Sequence, residues 1–85
     1  MDEKKVIAFL RCEASPVVNL AIELANLTIK EESAITLCAR KGMTQERAAE
    51  EAGCSVDSMQ RWYRRGIQKL SKAWDGCWWI DRLAD

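Results

Sequence analysis

The chain has no histidine, one proline, one phenylalanine and one tyrosine in 85 residues, and its 13 basic side chains are balanced by 13 acidic ones. Each scarcity excludes a class of chemistry. Without histidine, general acid–base work falls to carboxylates alone and the usual zinc-binding sets are lost. The four cysteines, Cys12, Cys38, Cys54 and Cys77, are widely separated and form no CxxC pair, so their spacing encodes neither a zinc site nor a disulfide framework. Cys38 and Cys54 fall where the helical pattern calls for apolar side chains, as buried free thiols do. Cys54 also stands at a helix amino-terminus, where the dipole can lower a thiol pKa, but a small apolar residue in a turn is the simpler reading. The carboxylates sit at caps and on polar faces. No catalytic constellation, metal or cofactor is expected. No apolar run reaches the length of a signal-peptide core or a membrane span, which points to a reducing cytoplasm and no membrane partner.

What is present is helical periodicity throughout, with no strand alternation, low complexity or internal repeat. A first helix is predicted over Glu3–Glu13, with Val6, Phe9 and Leu10 on one face and Lys4, Lys5 and Arg11 toward solvent. Ser15 and Pro16 supply a cap and a first-turn proline for a second. Its core-facing stripe is read as Val17, Leu20, Ala21, Leu24 and Leu27. Thr28 with Glu31 makes a capping box, so a third helix opens near Ile29 and runs to about Arg40, burying Ala34, Ile35 and Cys38 before Gly42 ends it. The expected fold is all-α: a single domain over 1–85, a small bundle of about five helices, with room for a short sixth in the tail. Within it, 1–27 form a helical pair, 28–74 carry the motif described next, and 75–85 are an aromatic tail.

The segment Met43–Leu70 is the most informative. Thr44 caps a short helix predicted to turn Ala48, Ala49 and Ala52 inward. Gly53 can take the positive φ that ends it, and Ser55 caps the next helix two residues later. Two helices joined so tightly cross steeply, and small alanines let their backbones approach. This is the geometry of a helix-turn-helix, whose second helix lies in the major groove of DNA. On that second helix Val56, Met59, Tyr63, Gly66, Ile67, Leu70 and Trp74 share one sector. Asp57, Gln60, Arg61, Arg64, Gln68, Ser71 and Lys72 share the other, with Arg65 at its edge. Glutamine suits adenine, and arginine suits guanine or phosphate. An arginine-rich face alone is compatible with plain solvation; joined to the caps, the turn and the alanine pair it points to double-stranded DNA. Net charge is zero, but residues 57–72 hold Arg61, Arg64, Arg65, Lys69 and Lys72 against only Asp57, while 1–34 and 73–85 are each net acidic. Local charge sets the footprint on a phosphate backbone. The expected DNA-binding set is therefore Thr44, Gln45, Ser55, Asp57, Ser58, Gln60, Arg61, Arg64, Arg65, Lys69 and Lys72, with Lys69 and Lys72 placed on phosphates.

These residues carry a resemblance. Thr44-Gln45-Glu46 through Ala49-Glu50, Gly53-Cys54-Ser55, Ser58-Met59 and Arg64-Arg65-Gly66 through Leu70 resemble region 4 of bacterial sigma-70 family factors. Upstream, Leu27-Thr28-Ile29-Lys30-Glu31 resembles the opening of the family's preceding helix. The likeness spans Leu27 to Leu70 without gaps, with departures at Ala48, Met59, Trp62 and Gly66. It implies a helix-turn-helix that acts on DNA. At 85 residues there is no room for the promoter-melting region of a full sigma factor. The reading is thus a sequence-specific transcription regulator of the small phage or mobile-element type. Alternatives are a module that binds RNA polymerase or a sigma factor, and a phage packaging or assembly subunit. One recognition helix makes few contacts, so a homodimer or a polymerase partner is expected to hold the chain on DNA.

The tail places Trp74, Trp78 and Trp79 within six positions. They either fold back on the amino-terminal helices to complete the core or form a partner surface. Trp62, at the edge of the apolar sector, is read as packing beneath the amino-terminal helices rather than stacking on bases.

Overall fold

The computed structural model describes residues 2–11 and 15–76. Its helices are α1 (Glu3–Leu10), α2 (Ser15–Leu24), α3 (Ile29–Ala34), α4 (Gln45–Ala52) and α5 (Val56–Ala73), and α3 continues without a break into a π-helical stretch, Ile35–Arg40. Among the described residues there is no strand, and the all-α expectation holds.

Local chemistry sets most boundaries. Asp2 caps α1, its carboxylate accepting from the Lys4 N–H at 3.1 Å. The box at the start of α3 is complete: Thr28 Oγ1 accepts from the Glu31 N–H at 3.2 Å, and Glu31 Oε1 accepts from the Thr28 N–H at 3.0 Å. The π-helical stretch was not anticipated. It ends where the Lys41 N–H reaches back five residues to the Thr36 carbonyl at 3.0 Å. Gly53 takes φ 70°, ψ 36°, which lets the Cys54 N–H close on the Ala49 carbonyl at 3.0 Å and stop α4.

Two clusters make the core, and α3 with its π-helical extension is the wall between them. Ile35 and Ala39 face the first, with Val6, Phe9 and Leu10 of α1, Val18, Ala21 and Ile22 of α2, Ile67 and Leu70 of α5, and Trp74. Ala34 and Cys38 face the second, with Ala48, Ala49 and Met59. The second cluster is the interior of the helix-turn-helix; the first braces the far half of α5. The helices approach closely at Gly66, where an added Cβ would lie 2.9 Å from Ile35 Cγ1 and 3.0 Å from its Cδ1. Glycine there is a packing requirement, despite its cost in a helix interior.

Three sequence expectations are corrected. In α2 Val18 and Ile22 are buried along with the expected Ala21, whereas Leu20 and Leu24 are 54% and 57% exposed, Leu27 beyond the helix is half-buried, and the Val17 side chain lies outside the described ones. Residues 20, 21, 24 and residues 21, 22, 25 have the same helical spacing, so the period alone does not choose between them. Packing against Phe9 and Trp74 selects the second. Ser15 is the first residue of α2 rather than a cap outside it. Ala52, the last residue of α4, is exposed at a groove shared with α3 rather than buried at the crossing; Ala48 and Ala49 are buried as expected.

Of the tryptophans, Trp74 is fully buried, edge-on to Phe9 at 5.1 Å, and belongs to the core. Trp78 and Trp79 lie outside the described residues, as do Cys12 and Cys77. Cys38 is a buried free thiol and Cys54 a half-buried one; burial pushes the Cys38 pKa up, which keeps it protonated and unreactive.

Candidate nucleic-acid interface

The turn between α4 and α5 fixes the exposed face. Thr44 Oγ1 accepts from the Arg47 N–H at 3.2 Å to start α4. Ser55 Oγ accepts from the Ser58 N–H at 3.1 Å and donates to Ser58 Oγ at 3.0 Å to start α5. Thr44 and Ser55 thus act first as caps, satisfying backbone donors that the helix starts leave open, and the Ser58 hydroxyl steadies the second cap. Behind them Ala48, Ala49 and Met59 are buried and hold the crossing.

In front, Asp57, Gln60, Arg61, Arg64, Arg65 and Gln68 line one continuous shallow depression along α5, every one of them exposed. Five of these six are expected site residues, and Gln68 shares their face. Gln45, at the first turn of α4, faces Gln60 and Arg64 across a cleft of about 390 Å³ that Glu3, Ile7, Tyr63 and Ile67 complete. Glu3 also lines a second cleft with Gln68, Ser71, Lys72 and Asp75. The amino-terminus of α1 therefore forms one bank of the basic face. No local sequence signal marks that contact, because it depends on how Val6, Phe9 and Leu10 seat α1 against α5.

Lys72 is exposed about two helical turns beyond Arg64, roughly 12 Å along the axis, in the neighbouring cleft. Lys69, expected on a phosphate, is exposed and also serves the fold. Its Nζ lies 2.7 Å from Glu31 Oε1, an ion pair within the fold. The Glu31 side chain is only 6% exposed while that of Lys69 is 44% exposed, so a buried carboxylate is held by a cation at the surface. Burial pushes the Glu31 pKa up, but hydrogen bonds from Lys69 and Thr28 outweigh it and hold the carboxyl below its ordinary 4.5.

Trp62 is also placed differently from expectation. It is half-buried against the helix-turn-helix cluster rather than beneath α1 and α2, and the Lys30 ammonium of α3 stands 5.3 Å from its ring centroid. The two lysine contacts share a cause. Positions 62 and 69 are seven residues apart, nearly two whole turns, and both fall on the flank of α5 that packs against α3.

Among the described residues no group of histidine, cysteine or carboxylate side chains could hold a metal ion, and no helix is long and apolar enough to cross a membrane. A capped short helix, a glycine turn, a close alanine crossing and a second helix with an outward basic face define a helix-turn-helix domain. Residues 22–70 match the family described as Sigma-70, region 4, and the chain belongs to that family, whose members bind DNA and the RNA polymerase core. The match runs from within α2 to Leu70, leaving α1 and Trp74 outside it. No curated protein and no solved structure matches the chain.

Proposed function

We propose that this protein is a sequence-specific DNA-binding transcription regulator that lays α5 in the major groove, working in the cytoplasm of a cell or of a phage-infected host. The observation that carries the reading is the grouping of Gln60, Arg61, Arg64 and Arg65 on one exposed face, directly after a capped turn and free of the core's demands. Arginine offers two parallel donors to guanine O6 and N7, and glutamine a donor and an acceptor to adenine. Asp57 can accept from a cytosine amine on the same face. One recognition helix makes few phosphate contacts, so specific contacts and a second anchoring point carry the affinity. A second copy on an adjacent half-site supplies that anchor, and the exposed Leu20 and Leu24 of α2 offer apolar surface for its seam. Selection of bound duplexes from a random library tests the reading. A single enriched motif is expected; recovery of no motif overturns it.

A second reading rests on the far side of α3. There Ile29, 85% exposed, and Leu37, Glu32, Ser33 and Thr36 meet Glu51 and Ala52 of α4 around a groove of about 500 Å³. It faces away from the Glu31–Ile35–Cys38 side that packs against the core, so a polymerase segment seated there would leave α5 open to DNA. Co-purification with RNA polymerase that is lost on Ile29→Glu would favour this reading.

A further inference from the structure

We propose that Lys30, on α3 and outside the helix-turn-helix, is a DNA phosphate contact held ready by Trp62, an inference that rests on the DNA-binding reading above. Three observations carry it. Lys30 is exposed, and its ammonium lies 5.3 Å from the centroid of the Trp62 ring, a position in which the ring attracts the cation from one side and leaves N–H donors facing outward. Trp62 directly follows Arg61 and lies one turn before Arg65, so the Lys30 charge extends the basic face of α5 sideways onto α3. The neighbouring carboxylates are disposed of: Glu31 turns inward to Lys69 and the capping box, and Glu32 lines the groove on the other side of α3.

The physical consequence is a lysine that is ordered before DNA arrives. A free lysine side chain loses rotamer freedom when it meets a phosphate, and one already resting on an indole has lost part of it beforehand. Lys69 shares this flank of α5 and is paired with Glu31, and Lys30 adds a cation there that, among the described residues, has no carboxylate partner to hold it back. On this reading the footprint spans two elements. Arg61 and Arg64 meet base edges, while Lys30 meets the backbone that borders the groove on the α3 side.

Fluorescence anisotropy with the full chain and a labelled duplex, across a salt series, tests the assignment. Each phosphate contact contributes about 0.9 to the slope of log affinity against log salt. Lys30→Gln is expected to reduce the slope by about that amount and to weaken binding about eight-fold at 0.1 M relative to 1 M salt, equally for all duplex sequences. Lys30→Arg should restore the slope. Trp62→Phe and Trp62→Leu, checked for an unchanged helical spectrum, should keep the wild-type slope, with the leucine variant losing affinity by roughly two- to five-fold, the worth of one exposed cation–π contact. An unchanged slope in Lys30→Gln, while Arg61→Ala/Arg64→Ala loses binding, overturns the Lys30 assignment and leaves the docking of α5 standing. If the arginine variant also binds like wild type, the DNA-binding reading fails and the Lys30 assignment fails with it.

Discussion

The indole Nε1 of Trp74 donates to the backbone carbonyl of Ala21 across 2.8 Å, tying the end of α5 to α2. The carbonyl is open because α2 tightens as it ends: the Ala25 N–H bonds Ile22 three residues back, and Asn26 then takes φ 54°. An orphan acceptor at one helix terminus is thus satisfied by a side chain 53 residues away. Trp74→Phe keeps the ring beside Phe9 but leaves a buried carbonyl without a donor. A loss of about 1–3 kcal/mol in urea unfolding is expected. An unchanged midpoint would show that the carbonyl is met by water instead.

Ala49 lies where α4 crosses α5 and is almost wholly buried with Met59. Ala49→Leu should destabilise the fold by about 1–3 kcal/mol through overpacking and weaken DNA binding by splaying the two helices. Retention of both melting temperature and affinity would place the crossing elsewhere.

Gly66 sets two effects against each other. Alanine is favoured in a helix interior by about 1 kcal/mol, yet its Cβ would stand 2.9 Å from Ile35 Cγ1, where overpacking costs about 1–3 kcal/mol. The clash is expected to win, so Gly66→Ala lowers stability. Ile35→Val removes Cδ1, one of the two atoms in the way, and should shrink the cost of Gly66→Ala in that background. Strict additivity in the double-mutant cycle would contradict the contact.

The Glu31 carboxyl is held below 4.5 in the fold by Lys69 and Thr28 against the opposing effect of burial. A depressed carboxyl contributes stability above its ordinary pKa, and that contribution disappears as pH falls through the lower folded value. Melting temperature should therefore drop on acidification below about pH 4.5, and less steeply in Glu31→Gln. Parallel acid limbs for the two proteins would mean that Glu31 does not govern this transition.

The parts of the fold legible in the sequence are those fixed within three or four residues. Thr28 with Glu31, Thr44, Ser55 and Gly53 each act on nearby backbone, so helix starts and the motif's turn could be read directly. The apolar sector of α5 was legible too, because an eighteen-residue helix gives the period room to declare itself. Choices made by distant partners were not. The buried stripe of α2 was decided by Phe9 and Trp74 between two registers of equal spacing. Lys69 was claimed by Glu31, 38 residues away, and the bank formed by α1 depends on its seating against α5. Within the candidate site, the exposed grouping of Asp57, Gln60, Arg61, Arg64 and Arg65 followed from periodicity alone, whereas Lys30 on Trp62 required the packing of α3.

The central claim is that the exposed face of α5 reads DNA, and Arg61 and Arg64 are its sharpest point. Both are exposed and neither is needed by the core, so Arg61→Ala/Arg64→Ala should keep the wild-type melting temperature. Its affinity for a selected duplex, measured by anisotropy beside wild type, should fall by about ten-fold or more, since each bidentate base contact is worth about 1–3 kcal/mol. Equal affinity of the folded variant and the wild type for that duplex would contradict the account.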